Sequence, residues 1–176
     1  YDRALKTALP MVNRADVIKA QLTNLNNDGY QDYVVLYYNG RGEASGVQQT
    51  NLEIFKKGID YNSFTREFTN SNAVRNFEIR DLDNDGLPEV VTDTYIFPSE
   101  GPRGWLGIIK FQNGEYKFLQ TVGYKRDIKI EDIDNDGIQE MISDGDLNRW
   151  NGTYYRLMPG SMPTFKAESP LDERIS

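Results

Sequence analysis

The chain of 176 residues carries 27 Asp and Glu against 20 Lys and Arg, a formal net charge of −7, and it contains neither cysteine nor histidine. Disulfides, soft-metal centres and nucleophile–imidazole pairs are thereby excluded, so any bound metal must be a hard cation held by oxygen. An acidic chain has no net field to draw in a phosphate backbone, and no apolar run approaches the ~20 residues of a spanning helix, so neither nucleic acid nor a membrane span is expected.

Residues 1–14 precede the first recognisable unit and read as a cap or extra segment. Within them, residues 2–9 give the only helical pattern, with Leu5 and Leu9 on one face and Pro10 as a stop. The chain opens on Tyr1 rather than methionine, so removal of a preceding segment is expected, whether by a processing enzyme or by design; the absence of cysteine is compatible with secretion, and a secreted, periplasmic or cell-surface location is expected.

Three copies of one unit follow, over residues 15–71, 72–125 and 126–168, and a polar tail over 169–176 is expected to be flexible. The first unit predicts strands at 17–22, 33–37, 52–56 and 64–68, from period-two alternation and β-branched or aromatic residues. In the second unit the strands are 74–79, 90–96, 105–111 and 116–122, with Asn113-Gly114 as a hairpin turn between the last two. The third unit predicts 127–131, 141–143, 154–157 and 164–167. Four short antiparallel strands in ~50 residues is the size of a propeller blade. The expected fold class is all-β, with three four-stranded antiparallel blades in an incomplete or partner-completed propeller.

Between the first two strands of each unit lies the same nine-residue loop: Asn24 to Asp32, Asp81 to Glu89 and Asp132 to Glu140. The second copy begins 57 residues after the first and the third 51 after the second. Oxygen-bearing side chains stand at positions 1, 3, 5 and 9, with glycine at 6 for the sharp bend. Alternate residues then point inward, and the carbonyl of position 7 supplies a further oxygen, which is a layout for calcium. The candidate ligands are Asn24, Asn26, Asp28, Tyr30 and Asp32; Asp81, Asp83, Asp85, Leu87 and Glu89; Asp132, Asp134, Asp136, Ile138 and Glu140. An EF-hand would need a carboxylate at position 12, where Val35, Thr92 and Ser143 stand instead. Asp and Asn also form turns through their own side chains, but four carboxylates crowded into one loop call for a cation. Two to three calcium ions are therefore expected, and the first loop, with only two charged ligands, is the weakest site. Ten of the 27 acidic residues occupy ligand positions, so three bound divalent ions would bring −7 to −1.

The segments from Asp81 to Val91 and from Asp132 to Ile142 resemble FG-GAP or VCBS-type repeats, with Asn24 to Val35 a weaker copy. The resemblance implies blades of a β-propeller with calcium in the first hairpin of each blade. Phe-Gly and Gly-Ala-Pro signatures are not evident, so the style is closer to bacterial VCBS repeats than to integrin α-subunits. Three units also fall short of the usual 4 to 8 blades of a closed ring, so further blades or a protein partner are expected.

Loops joining second and third strands are expected at 39–46, 98–104 and 145–152, each with one arginine: Arg41, Arg103 and Arg149. With Trp105 and Trp150 beside them they form a candidate ligand-binding rim for a glycan or partner. The plainer alternatives are solvated loop charges and tryptophans in the core. Asp93 and Asp144 share a register, yet Leu36 holds it in the first unit, so a catalytic pair there is not favoured. The leading expectation is a non-enzymatic, calcium-stabilised binding or assembly module, with a lectin-like or polysaccharide-lyase-like protein as the alternative.

Overall fold

The computed structural model describes residues 17–41, 48–57, 64–70, 74–96, 103–124, 128–143, 146–151 and 154–158. These residues form twelve strands and no helix. The first sheet runs β1 (Val17–Thr23), β2 (Asp32–Arg41), β3 (Gln48–Lys57) and β4 (Phe64–Asn70). A second sheet follows as β5 (Val74–Arg80), β6 (Glu89–Ile96), β7 (Arg103–Gln112) and β8 (Glu115–Tyr124). The third is β9 (Ile128–Glu131), β10 (Glu140–Ser143), β11 (Asp146–Trp150) and β12 (Tyr155–Leu157). Every pairing is between sequence neighbours and antiparallel. Each sheet is an open meander with two edges, and none closes on itself.

Period-two alternation sorts the apolar side chains onto sheet faces. On β2, Val34 and Leu36 join a core shared with the second sheet, while Tyr33, Val35 and Tyr37 pack with Phe55 in a separate cluster. The second sheet is buried on both faces. Val90 and Ile109 meet the first sheet, together with Val74, Phe77 and Tyr116, whereas Val91, Leu106 and Ile108 meet Met141, Trp150 and Tyr155 of the third. The sheets thus stack in chain order, and Leu25 and Leu82, each at position 2 of an acidic loop, are buried in successive interfaces. Cross-sheet hydrogen bonds reinforce the stack: Thr50 Oγ1 donates to Val74 O (2.6 Å), and Ser143 Oγ to Gly123 O (3.1 Å).

The repeat extends to the irregularities. Register shifts occur between Val17 and Lys19 and between Val74 and Asn76, and again between Ile54 and Phe55 and between Ile108 and Ile109, at matching places in the first two sheets. Bulges of this kind bend a strand and raise its twist.

The third sheet corrects the sequence expectation. Residues 146–150, expected as loop, form the third strand, and the strand expected as third, at 154–157, is the fourth as β12. Asp146, Asn148 and Arg149 carry no strand signature, because Asp and Asn ordinarily favour turns. Tertiary contacts override that preference: Asn148 is buried and its Nδ2 donates to Met141 O (3.2 Å), while Trp150 enters the core. The expected strand at 164–167, the helix at 2–9 and Asp144 lie outside the described residues.

Candidate metal centre

The three acidic loops share one backbone path. Position 4 is Asn27, Asn84 or Asn135 at φ 54°, 57° or 60°, and position 6 is Gly29, Gly86 or Gly137 at φ 83°, 82° or 89°. Both positions are left-handed, which glycine adopts freely and asparagine better than most residues. The side chain at position 5 accepts a hydrogen bond from the backbone N–H of position 7 in all three: Asp28 from Tyr30 (2.9 Å), Asp85 from Leu87 (2.8 Å) and Asp136 from Ile138 (2.9 Å). In the second and third loops the first aspartate also fastens the turn. Asp81 accepts from the N–H groups of Asp85 (3.2 Å) and Gly86 (2.9 Å), and Asp132 from those of Asp136 (3.1 Å) and Gly137 (2.9 Å).

Position 9 closes each loop from the first residue of the next strand. Asp32, Glu89 and Glu140 are almost wholly buried, and each gives one oxygen to the N–H of position 2: Leu25 (3.0 Å), Leu82 (2.8 Å) and Ile133 (3.0 Å). The other oxygen of each, Asp32 Oδ1, Glu89 Oε1 and Glu140 Oε1, is buried and takes no hydrogen bond from the loop. Burial pushes the Asp32 and Glu89 carboxyls above their ordinary values, and this outweighs the N–H bonds and the nearby lysines that act in the opposite direction. Asp28 and Asp85 lie below their ordinary value despite partial burial, because Lys56 and Lys110 and the loop N–H groups favour their charged forms. Asp136 is held low chiefly by the Ile138 N–H and then by Arg149.

A basic residue stands opposite each closing carboxylate in the sheet register: Lys56 faces Asp32, and Lys110 is next to Ile109, the partner of Val90, so it lies across from Glu89. Arg149 follows Asn148, the partner of Met141, and so lies across from Glu140. Each reaches into its own loop. Lys110 Nζ lies 2.8 Å from Asp83, 2.8 Å from Asp85 and 2.6 Å from Glu89 Oε1, so the ammonium satisfies the oxygen that the loop N–H groups leave, and its side chain is only 6% exposed. Arg149 Nη2 is 2.7 Å from Asp134 and also pairs with Asp136, with Nε 3.6 Å from Glu140 Oε1. In the first loop Lys56 Nζ reaches Asp28 at 2.8 Å.

Two triads, Asp81/Asp83/Asp85 and Asp132/Asp134/Asp136, each bring one carboxylate oxygen per residue within 4.8 Å of one another and could hold a metal ion. Their donors are all oxygen, with a buried oxygen of position 9 facing the same side-chain cation, which suits a hard ion. In the first loop Asn24 Oδ1 and Asn26 Nδ2 are buried without hydrogen bonds.

The candidate rim is placed differently. Arg149 is a strand residue committed to the third loop rather than a free loop charge, and Trp150 is buried, its ring 5.2 Å from that of Tyr155. Trp105, in β7, is half-buried. Arg41 ends β2 and Arg103 begins β7, and their side chains lie outside the described residues. Asp93 is paired with Arg75 at 2.6 Å. The sequence pattern alone does not single out Lys56 and Lys110, because only register places them opposite position 9; the available signal is a basic residue on the third strand of each unit. Comparison with protein-family models, curated proteins and solved structures finds no match.

Proposed function

We propose that this chain is a calcium-stabilised β-repeat module that works outside the cytoplasm as a binding or assembly unit rather than as an enzyme. The observation that carries the reading is the buried closing carboxylate repeated in Asp32, Glu89 and Glu140, each with one oxygen fixed by the loop and one left toward the cation position. That oxygen meets a side-chain cation at Glu89 and Glu140 and takes no hydrogen bond at Asp32, and a divalent ion with several oxygen ligands would neutralise the crowded carboxylates more fully. Face-to-face stacking of four-stranded meanders supports a propeller-type arrangement completed by further blades or a protein partner, because open edges and outer faces need cover.

Ion binding to the folded state alone stabilises it by mass action. Calorimetric titration of the metal-stripped protein with calcium, alongside melts in EDTA and in millimolar calcium, tests the reading. Saturable binding with a marked rise in melting temperature is expected, and an unchanged melt with no binding heat would overturn it. A glycan array run in calcium checks the lectin alternative, which specific binding lost in Trp105→Ala would favour.

A further inference from the structure

The acidic loops are more than anionic pockets. Each is penetrated by a cation from the third strand of its own sheet, at the one position whose register faces the closing carboxylate. In the second loop Lys110 Nζ touches Asp83, Asp85 and Glu89 at once. These are three of the four carboxylates expected to bind the ion, and the fourth, Asp81, has both oxygens engaged by backbone N–H groups. In the third loop Arg149 spans Asp134, Asp136 and Glu140 in the same way. An ammonium and a calcium ion cannot share those oxygens, because both need the same lone pairs at about 2.3–3 Å and repel each other at such range.

We propose that Lys56, Lys110 and Arg149 are built-in counter-cations that hold their loops in the metal-free protein and are expelled when a divalent ion binds, so that loading is an ion exchange. The exchange rests on the calcium reading. Its direction follows from charge. One ammonium against four carboxylates in the second loop leaves three negative charges uncompensated, whereas a divalent ion leaves two. The device has two effects: the hairpins keep their shape without metal, and metal affinity is set lower than the bare ligands would give. Lys110 is the most enclosed of the three, at 6% exposure against 36% for Arg149 and 39% for Lys56, so its displacement changes accessibility most.

Two measurements test the exchange. First, acetylation by an amine-reactive ester, read residue by residue by mass spectrometry, is expected to leave Lys110 protected in EDTA and to label it once calcium is added. Protection that persists in saturating calcium would overturn the expulsion of Lys110. Second, Lys110→Met and Arg149→Met are each expected to lower the melting temperature in EDTA while tightening calcium binding about tenfold or more, since the ion no longer has to displace a side-chain cation from its oxygens. Lys110→Arg, which keeps the charge, is expected to keep the EDTA melt. Should Lys110→Met fail to fold, Arg149→Met at its more exposed position still reports. If the wild type binds calcium and the methionine variants bind no more tightly, the exchange alone fails. Absence of binding in wild type and variants alike would instead remove the calcium reading itself.

Discussion

Tyr116, in the fourth strand of the second sheet, donates its hydroxyl to Asp32, the closing carboxylate of the first loop, across 84 residues of sequence at 3.1 Å. The bond ties a candidate metal loop to the neighbouring sheet. Asp32 is fully buried, so losing this donor leaves its Oδ2 with the Leu25 N–H. Tyr116→Phe is expected to cost about 1–2 kcal/mol. For a domain of this size that is a fall in melting temperature of about 3–6 °C. Urea denaturation of the two proteins side by side checks the figure, and an unchanged midpoint would mean that the bond contributes nothing net.

The loops should respond unequally to ligand deletion. Asp83→Ala with Asp85→Ala strips the enclosed Lys110 of two of its three partners, and we expect a loss of about 3 kcal/mol even without metal. Asn24 Oδ1, by contrast, is buried without a hydrogen bond. Asn24→Ala should therefore change metal-free stability by less than about 0.5 kcal/mol, while reducing the added stability that calcium gives. Equal losses for both changes in EDTA would contradict this ranking.

Acid should stabilise the metal-free protein before it destabilises it. Asp32 and Glu89 lie above their ordinary values of 3.8 and 4.5, so the folded chain binds protons more readily there than the unfolded chain does, and stability rises as pH falls toward that window. Asp28, Asp85 and Asp136 lie below 3.8, so what they contribute is complete above 3.8 and is lost only as pH falls further. Melts without metal are expected to show a midpoint that rises as pH falls from neutral toward 4.5 and declines below pH 3.8. Calcium affinity should fall over the first interval, because protons compete for the same oxygens; a midpoint falling steadily from neutral pH would refute the assignment.

Gly107 in β7 has no room for a side chain. A Cβ there would lie 2.6 Å from both Thr92 Oγ1 and Phe118 Cε2. Thr92 is buried and cannot swing away, whereas Phe118 is 44% exposed and can. Gly107→Ala is expected to destabilise by about 1–3 kcal/mol. Adding Phe118→Ala should restore only part of the loss, as measured by the denaturation midpoint, and full rescue would show that the Thr92 contact is not the limiting one.

Local patterns made much of this molecule legible from its residues. The three loops and eleven of the twelve strands follow from Gly at position 6, acidic residues at alternate positions and period-two alternation in the flanks, all of which act within a few residues. Left-handed Asn27, Asn84 and Asn135 belong to the same local chemistry. Tertiary structure alone decided what faces what. Lys110 and Arg149 lie 29 and 17 residues beyond the first position of their loops, and only strand register brings them to Glu89 and Glu140. Residues 146–150 look like a turn and become β11, because Met141 O binds Asn148 and the interface with the second sheet takes Trp150. Register and stacking depend on pairing free energies between distant segments, which no local period encodes. The acidity visible in the composition thus shows where cations are needed, and the fold determines that lysine and arginine from the same sheets reach those places first.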